Sequence, residues 1–310
     1  MTRTASYESE LHPISDEEFA LLTALLRERT GISLSPGKKP LLAARLLDRM
    51  KALGLRSFAD YHRRVLADGS GELSRMTDAL CTHETRFFRD AEQLDHIEKS
   101  VLPAWLARAE QSGGAKRLRV WSAGCSTGEE PLTIAMLLLS KVPVERGIAI
   151  EVLGTDISNT AIERARAARF PEHRMAEIPE EHRRRFFNID PETGEHTPSR
   201  ELRSVVRFHR LNLCDWYYPV TGKFDLLLCR NVLIYLDPEM RRAAARRMVE
   251  RLAPKGVLFL GMTESLLALR DPSAPRKGVA EEVAAGLPPV AAVGPAAYAF
   301  HKPRVLRRRF

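Results

Sequence analysis

The residues best suited to chemistry surround a short turn that is both glycine-rich and acidic. An apolar run over 118–121 leads into Gly124 and Gly128, and Glu129 and Glu130 open an amphipathic segment. A strand, a glycine turn and a helix N-terminus in this order present backbone amides to an adenosine-type cofactor. The spacing differs from the dinucleotide fingerprint, and two glutamates would repel a pyrophosphate. The turn favours a cationic ligand without phosphates, and S-adenosylmethionine fits.

Three carboxylates near this turn each allow two interpretations. Asp156 ends an apolar run about 30 residues after the turn, where an acidic residue accepts hydrogen bonds from ribose hydroxyls. Alternatively, Asp156 caps the next helix. The run from Thr127 to Glu130 matches a capping box, which accounts for both glutamates structurally. Otherwise one carboxylate, Glu130 before Glu129, meets the α-ammonium group of the ligand.

Further polar residues follow another apolar run and a predicted junction. Arg230 and Asn231 come directly after the apolar run 224–229. In open parallel sheets the ligand lies beyond the carboxyl ends of strands, which suits both residues. Tyr235 either points into the same crevice or packs with its hydroxyl at the surface. The junction 82–90 joins two regions of different pattern, and such junctions often hold sites. Its spacing alone instead favours an ordinary surface histidine at His83 and a salt-bridge partner at Arg89.

The elements that position these residues begin with a helical region over 14–80. Ser15 and Glu18 form a capping box before apolar residues at helical spacing, and Gly31 ends that helix. A second helix is predicted from about 38 to 53. It carries a basic strip of Lys38, Arg45 and Arg49. We expect a helical domain, with its junction loop, over residues 1–89.

From residue 118 apolar runs alternate with amphipathic stretches. Strands are predicted at 118–123, 149–155, 205–209, 224–229 and 256–261, and helices at 131–141, 159–168 and 239–252. This alternation predicts an α/β domain over 90–310, with a mainly parallel sheet and helices on both faces. Prolines and charges over 170–204 indicate an inserted subdomain. The Ala/Pro-rich stretch 272–297 is predicted to have little order.

Bulk properties narrow the class of protein. The 310 residues suffice for two domains, and no apolar run is long enough to span a bilayer. The first twenty residues lack a signal-peptide core, so we expect a cytoplasmic protein. Four cysteines at unrelated spacings predict reduced thiols and no metal site. The net charge of +8 favours an acidic partner without saying whether it is nucleic acid, membrane or protein.

Several segments in series resemble the chemotaxis receptor methyltransferase family, CheR. The helical region reads RTGISLSPGKKPLLAARLLDRMKALGLRSFADY. Six later segments read THETRFFRD, VWSAGCSTGEEPLTIAM, GTDIS, RLNLCD, FDLLLCRNVLIYLD and GVLFLGMTESL. The match covers roughly residues 14–265 in the family's order, which makes it specific. It implies a Rossmann-like S-adenosylmethionine-dependent methyltransferase fold, with an N-terminal all-α domain and a small inserted β subdomain.

The resemblance also implies a reaction. The methyl group of S-adenosylmethionine would pass to glutamate side chains on the cytoplasmic helices of chemoreceptors. The products would be γ-glutamyl methyl esters and S-adenosylhomocysteine. A glutamate carboxylate has a pKa of about 4.3 and is a nucleophile at neutral pH without a general base. The protein would then align the reacting groups and exclude water.

By resemblance, particular residues acquire roles. The cofactor pocket would be lined by His83, Thr85, Arg89, Glu130, Asp156, Asn212, Leu213, Arg230 and Asn231. Arg89 and Tyr235 are the candidate catalytic residues near the methyl group, and Arg89 would hold the incoming carboxylate by a charge-assisted bond. Asn212 and Leu213 would lie by the adenine. The strip Lys38, Arg45 and Arg49 would face acidic receptor helices, or else be a solvated helix face. The family often has Asn where His83 stands.

Two rival functions remain. A nucleic-acid methyltransferase would suit the positive charge, but amine methylation of bases usually uses [DN]-P-P-[YF], and the chain reads Cys229-Arg230-Asn231-Val232 there. Ring-carbon methylation commonly uses a cysteine after proline, and no Pro-Cys occurs. The second rival is a non-catalytic regulator that keeps the scaffold. We expect a monomer that binds a chemoreceptor and neither binds nucleic acid nor inserts into a membrane.

Overall fold

The protein is described by a computed structural model over residues 13–67, 70–111, 117–262, 264 and 300–301. The stretch 272–297, predicted to have little order, lies outside the described residues. Within them, no helix combines the length and apolar character needed to cross a membrane.

The N-terminal region folds into four helices with their own core. They are α1 (Asp16–Thr30), α2 (Lys39–Ala52), α3 (Phe58–Ala67) and α4 (Ser70–Leu80), with a 3₁₀ turn at Pro36–Lys38. The predicted capping box is confirmed: the Glu18 amide donates to Ser15 Oγ at 3.1 Å, and the Ser15 amide donates to Glu18 Oε2 at 2.9 Å. Gly31, with φ of 76°, ends α1 as predicted. The predicted apolar faces of α1 and α2 meet, and Leu22, Leu26, Leu42 and Leu46 are fully buried.

A helical connector that the sequence pattern did not indicate leads into the sheet. It consists of α5 (Ala91–His96), a π-helical turn (Ile97–Val101) and α6 (Leu102–Gln111). Leu94, Ile97, Leu102 and Trp105 belong to the core that underlies the sheet. The connector therefore packs with the second region of the chain.

A six-stranded sheet forms the second region. Its strands are β1 (Arg117–Ala123), β2 (Ala149–Asp156), β5 (Val206–Arg210), β6 (Phe224–Cys229), β7 (Leu252–Leu260) and β8 (Phe300–His301). Their order is β5-β2-β1-β6-β7-β8, parallel except for β8. The mainly parallel α/β sheet predicted from the sequence is confirmed. The order changes direction at β1, and this is the position where open sheets form a ligand crevice.

Helices cover both faces of the sheet because its strands are apolar on both sides. They include α7 (Glu129–Lys141), α8 (Asn159–Ala167) and α11 (Pro238–Glu250). Val120 and Leu226 share one core with Leu132 and Met136 of α7. The alternate residues Trp121 and Leu227 share the other core with Ala244 and Met248 of α11. Successive strand side chains point to opposite faces, so a continuous apolar strand needs cover on both.

The insertion over 170–204 is mixed rather than purely β. It contains a 3₁₀ turn (Glu172–Met175), α9 (Glu180–Phe186), an antiparallel hairpin of β3 (Phe187–Ile189) and β4 (His196–Pro198), and α10 (Arg200–Val205). Phe186 and Leu202 join the core of the sheet domain. The insertion is therefore packed onto that domain.

Candidate active site

A cavity of about 750 Å³ lies between the helical region and the carboxyl ends of β1, β2 and β6. Its volume suits a small-molecule ligand. Its lining includes all nine predicted cofactor residues, together with Tyr235, Lys38 and Arg45. Of the residues assigned a role by resemblance, Arg49 alone lies outside the lining. Residues distant in sequence thus meet in one place, and their individual binding roles stay predictions.

The glycine turn approaches the next strand closely. The amides of Gly124 and Cys125 donate to Thr155 O at 2.7 and 2.9 Å. Gly124 has a left-handed backbone, with φ of 82°, and an added Cβ would lie 2.2 Å from Val232 Cγ2. Only glycine satisfies both conditions.

The interpretation of Thr127 to Glu130 as a capping box is wrong. The residue that caps α7 is Gly128, and it has no side chain to accept a hydrogen bond. Thr127 Oγ1 instead donates to Glu129 Oε2 at 2.7 Å. The left-handed Gly128, with φ of 100°, moves the start of the helix one residue past the position that the motif predicts.

The two glutamates have different environments. Glu129 is 1% exposed, pairs with Arg174 and lies outside the lining. Glu130 lines the cavity, accepts from Ser122 Oγ at 2.6 Å, and pairs with Arg230 Nη1 at 3.3 Å. The structure therefore offers Glu130 to a ligand and keeps Glu129 as an internal contact.

Asp156 lines the cavity at the end of β2. Its Oδ2 accepts from the Ser126 amide and its Oδ1 from the Ser158 amide, both at 2.9 Å. The cap of α8 is Ser158, whose hydroxyl accepts from the Ala161 amide, so the alternative role of Asp156 as a cap is wrong. Burial raises the pKa of Asp156, although these amides oppose the shift. Each carboxylate oxygen can accept a further bond, as recognition of two ribose hydroxyls requires.

His83 brings an unpaired nitrogen to the site. Its Nε2 is buried and finds no hydrogen-bond partner among the residues that the structure describes. Burial lowers the pKa of His83, while Asp156 and Asp78 oppose the shift. The imidazole is therefore neutral at pH 7, since even an unperturbed histidine titrates near pH 6.5.

Arg230 joins β6 to the junction loop. Its buried guanidinium donates from Nη2 to Arg89 O at 2.7 Å and to Asp90 Oδ2 at 2.8 Å. Because Nη1 also pairs with Glu130, one cation compensates two carboxylates. Arg89 itself donates to Glu84 O at 3.1 Å and lines the cavity.

The loop after β6 brings Tyr235 to the opening. A 3₁₀ turn at Leu233–Tyr235 follows β6, and Tyr235 is 43% exposed while it lines the cavity. Its carbonyl accepts from the Ser33 amide at 2.8 Å, and the Asp237 amide donates to Gly31 O at 2.8 Å. The helical region thus pairs with this loop through the backbone.

Asn212 and Leu213 lie on the same side as the helical region. Asn212 Nδ2 donates to Arg29 O at 3.1 Å, and its Oδ1 accepts from the Cys214 amide at 2.9 Å. Leu213 is buried and lines the cavity. Both polar atoms of Asn212 already have partners in the protein, so its side chain also serves to connect the two regions.

The predicted basic strip is largely engaged inside the helical region. Arg45 donates to Leu80 O, Cys81 O and Thr82 Oγ1 at 2.5, 3.1 and 3.1 Å. Arg49 donates twice to the buried Glu72, at 3.0 and 2.6 Å. Lys38 is exposed at the cavity. Contact of this strip with a partner stays a prediction, and Lys38 is its most accessible member.

Sequence reasoning missed Arg174, which comes from the insertion. Its Nη2 donates to Thr85 O at 2.8 Å and also pairs with Glu129. It therefore joins the insertion, the junction loop and the start of α7. A single arginine in a charge-rich stretch gives no signal of such a contact.

The lining fits S-adenosylmethionine by the chemistry of its groups. Asp156 and Glu130 supply carboxylates for ribose hydroxyls and an ammonium group. Within the described part of the chain, five buried side-chain atoms of lining residues have no partner: His83 Nε2, Ser126 Oγ, Arg230 Nε, Asn231 Oδ1 and Arg241 Nε. Buried polar atoms are normally satisfied, so these are available to a ligand. No cluster of metal-binding side chains occurs among the described residues.

Known proteins match the chain in both regions. A family described as "CheR methyltransferase, all-alpha domain" matches residues 17–81, and "CheR methyltransferase, SAM binding domain" matches residues 83–278. The chemotaxis protein methyltransferase of Vibrio parahaemolyticus is 34% identical over 261 residues, which cover 83% of this chain and 92% of that protein. Its counterpart in Borreliella burgdorferi is 32% identical over 255 residues, covering 82% and 89%. That of Escherichia coli is 33% identical over 255 residues, covering 81% and 85%.

Proposed function

This chain belongs to the CheR methyltransferase family, and we propose that it methylates glutamate side chains on the cytoplasmic helices of chemoreceptors. It is an S-adenosylmethionine-dependent methyltransferase of chemotaxis. The observation that carries the proposal is the single cavity in which Asp156, Glu130 and Arg89 line the same space as the exposed Tyr235. A ligand among the first three would lie within reach of a side chain entering past Tyr235.

The cofactor supplies an electrophilic methyl group on a sulfonium when bound. Asp156 and the unpaired Ser126 hydroxyl would hold its ribose, and Glu130 would hold its ammonium group. Arg230 fixes the Glu130 carboxylate in place through their ion pair. The chain thereby orients the cofactor through residues that are already hydrogen-bonded to one another.

The substrate carboxylate needs positioning more than activation. A glutamate is ionised at neutral pH, so no residue has to remove a proton. Arg89 would hold one carboxylate oxygen by a charge-assisted bond. Tyr235 and the apolar Ile234 and Leu41, all exposed in the lining, would cover the entering side chain and exclude water.

The opening suits an acidic amphipathic helix. Exposed apolar side chains at the cavity stand beside the exposed cation Lys38. A helix with glutamates next to an apolar stripe would match both features. The cytoplasmic location and the monomeric state expected from the sequence stay predictions.

A labelling experiment tests the reaction class. The protein is incubated with methyl-labelled S-adenosylmethionine and a chemoreceptor cytoplasmic fragment, and the product is treated with base. We expect volatile methanol, because carboxyl methyl esters are alkali-labile. Label that resists base would mean N- or C-methylation and would overturn the glutamate proposal.

Two variants locate the reaction in the cavity. Arg89→Ala is expected to lose most of the labelling, because the incoming carboxylate loses its cation. Arg184→Ala is the matched control, since Arg184 is exposed on the insertion and pairs with Glu180. Binding of S-adenosylhomocysteine without any labelling would favour the non-catalytic regulator.

A further inference from the structure

Glu264 is a buried carboxylate outside the cavity lining. It lies after β7 and is 6% exposed. Its Oε1 accepts from the amides of Val232 and Ile234, at 2.9 and 3.2 Å. Its Oε2 accepts from the amides of Asn231 and Gly261, at 2.9 and 2.8 Å. One side chain thus binds four backbone amides, three of them in the loop after β6.

The environment of Glu264 differs from that of the other buried glutamates. Glu72 pairs with Arg49, and Glu129 pairs with Arg174. Within the described residues, Glu264 has backbone amides as partners and no cation in ion-pair contact. Charge-assisted bonds from several amides compensate the desolvation of a carboxylate, and removing them leaves both sides unsatisfied. The loop and the carboxylate therefore depend on each other.

The loop that Glu264 binds contains a left-handed residue and packs closely against Gly261. Asn231 is left-handed, with φ of 58°, a conformation that few residues with a Cβ adopt and that asparagine tolerates better than most. A Cβ on Gly261 would lie 2.6 Å from the Asn231 amide nitrogen and 2.8 Å from Glu264 Oε2. A glycine at 261 is thus required for the close approach of β7, the carboxylate and the loop.

The two ends of this loop are held by different parts of the protein. Glu264 binds the amides of residues 231, 232 and 234, whereas the helical region binds Tyr235 O and the Asp237 amide through Ser33 and Gly31. Asn231 and Tyr235 both line the cavity. We propose that Glu264 is a positioning residue that sets the loop carrying Asn231 and Tyr235, and so controls methyl transfer without touching cofactor or substrate. The kinetic part of this inference rests on the proposed function.

Hydrogen exchange of the unliganded protein tests the contact directly. In Glu264→Gln an NH₂ group replaces one oxygen and would face two amide donors, so two of the four bonds are lost. We expect the amides of 231, 232 and 234 to exchange at least about tenfold faster, while the helical region is unchanged. Unchanged exchange across 230–236 would overturn the proposal.

A double-mutant cycle tests whether Glu264 acts through Tyr235. Turnover is measured for Glu264→Gln, Tyr235→Phe and the double variant, with S-adenosylhomocysteine affinity measured alongside. We expect Glu264→Gln to lower kcat about tenfold and to leave the dissociation constant within about threefold. The kcat of the double variant should be clearly higher than the value obtained by multiplying the two single losses, because the effects of residues that act together are not additive. If the two single losses in kcat multiply in the double variant, Glu264 and Tyr235 act independently and the proposal is overturned.

Gly261→Ala disturbs the contact between Glu264 and the loop in a second way. Its Cβ displaces the carboxylate and the loop while Glu264 is retained. We expect the same exchange pattern over 230–236, with the melting temperature recorded for both variants. If the wild type forms no methyl ester, the proposed function fails, and the exchange result alone still decides whether Glu264 sets the loop.

Discussion

The two ends of the cavity are built differently. We call Glu130, Asp156, Arg230 and the turn 124–126 the floor, and the exposed lining residues Lys38, Leu41, Ile234 and Tyr235 the mouth. At the floor, the side chains of Glu130, Asp156 and Arg230 are hydrogen-bonded or ion-paired to neighbouring side chains and backbone. The mouth side chains are exposed. A floor fixed in advance suits one invariant ligand, whereas exposed side chains at the mouth can contact a substrate that varies between receptors.

The largest expected effect comes from breaking the charge balance of the floor. Arg230→Met leaves Asp90 and Glu130 without their shared cation. We expect the free energy of unfolding to fall by about 3–5 kcal/mol, because a broken buried pair leaves uncompensated charge. Urea unfolding measures it. Arg86→Met is the control, since its pair with Glu177 is exposed and is worth less than about 1 kcal/mol. Equal losses for both variants would show that the floor is not a balanced network.

A second change removes the charge of the floor carboxylate at the end of β2. Asp156→Asn retains the shape but weakens the acceptance of ligand hydroxyls and of the Ser126 and Ser158 amides. We expect the dissociation constant for S-adenosylhomocysteine to rise about 100-fold by calorimetry, as two charge-assisted bonds weaken. The receptor KM at saturating cofactor should change little. An unchanged dissociation constant would mean that Asp156 holds only the protein backbone.

A substitution at the mouth should change the receptor KM and leave the cofactor affinity unchanged. Lys38→Glu places a negative charge where an acidic helix would approach, so we expect the receptor KM to rise about fivefold with cofactor affinity unchanged. The rise should diminish as salt is added, because exposed charges are screened. Lys51→Glu makes the same charge change near the other end of α2, and Lys51 lies outside the cavity lining. Equal effects of both substitutions would reflect net charge alone.

The smallest expected effect concerns pH and His83. Burial lowers its pKa in the folded protein, so the unfolded chain binds the proton more readily. The stability that neutral His83 provides is therefore complete above the ordinary value of about 6.5 and is lost as pH falls below it. We expect the wild type to lose more stability than His83→Asn between pH 7.5 and 5.5, by urea midpoints. Parallel losses would show that His83 titrates normally.

Local patterns predicted the floor well and its supports poorly. The glycine turn and Asp156 were found because a strand, a turn and an acidic strand end follow fixed spacings that backbone geometry requires. The capping box at Thr127 was wrong because a left-handed glycine at 128 changed where α7 begins. Helices over 91–111 also gave no clear signal, since their apolar residues serve the core beneath the sheet.

Contacts between distant segments could not be predicted. Arg174 reaches Glu129 and Thr85 from the insertion, and Glu264 reaches the loop after β6 from the segment after β7. Apart from the Gly261 amide that binds Glu264, the partners of these two residues are distant in sequence, so these contacts appear only when the chain is folded. The ion pair of Arg49 with Glu72 could not be predicted either, because the two residues are distant in sequence. The basic strip that contains Arg49 was evident from the sequence.

We propose that one cavity holds the cofactor at its floor and admits the substrate at its mouth. The most direct measurement determines S-adenosylhomocysteine affinity and receptor KM for Asp156→Asn, Lys38→Glu and the double variant. We expect each single change to alter one constant, and the double variant to show both changes at their full size. Weakening of S-adenosylhomocysteine binding by Lys38→Glu as great as that by Asp156→Asn would contradict it.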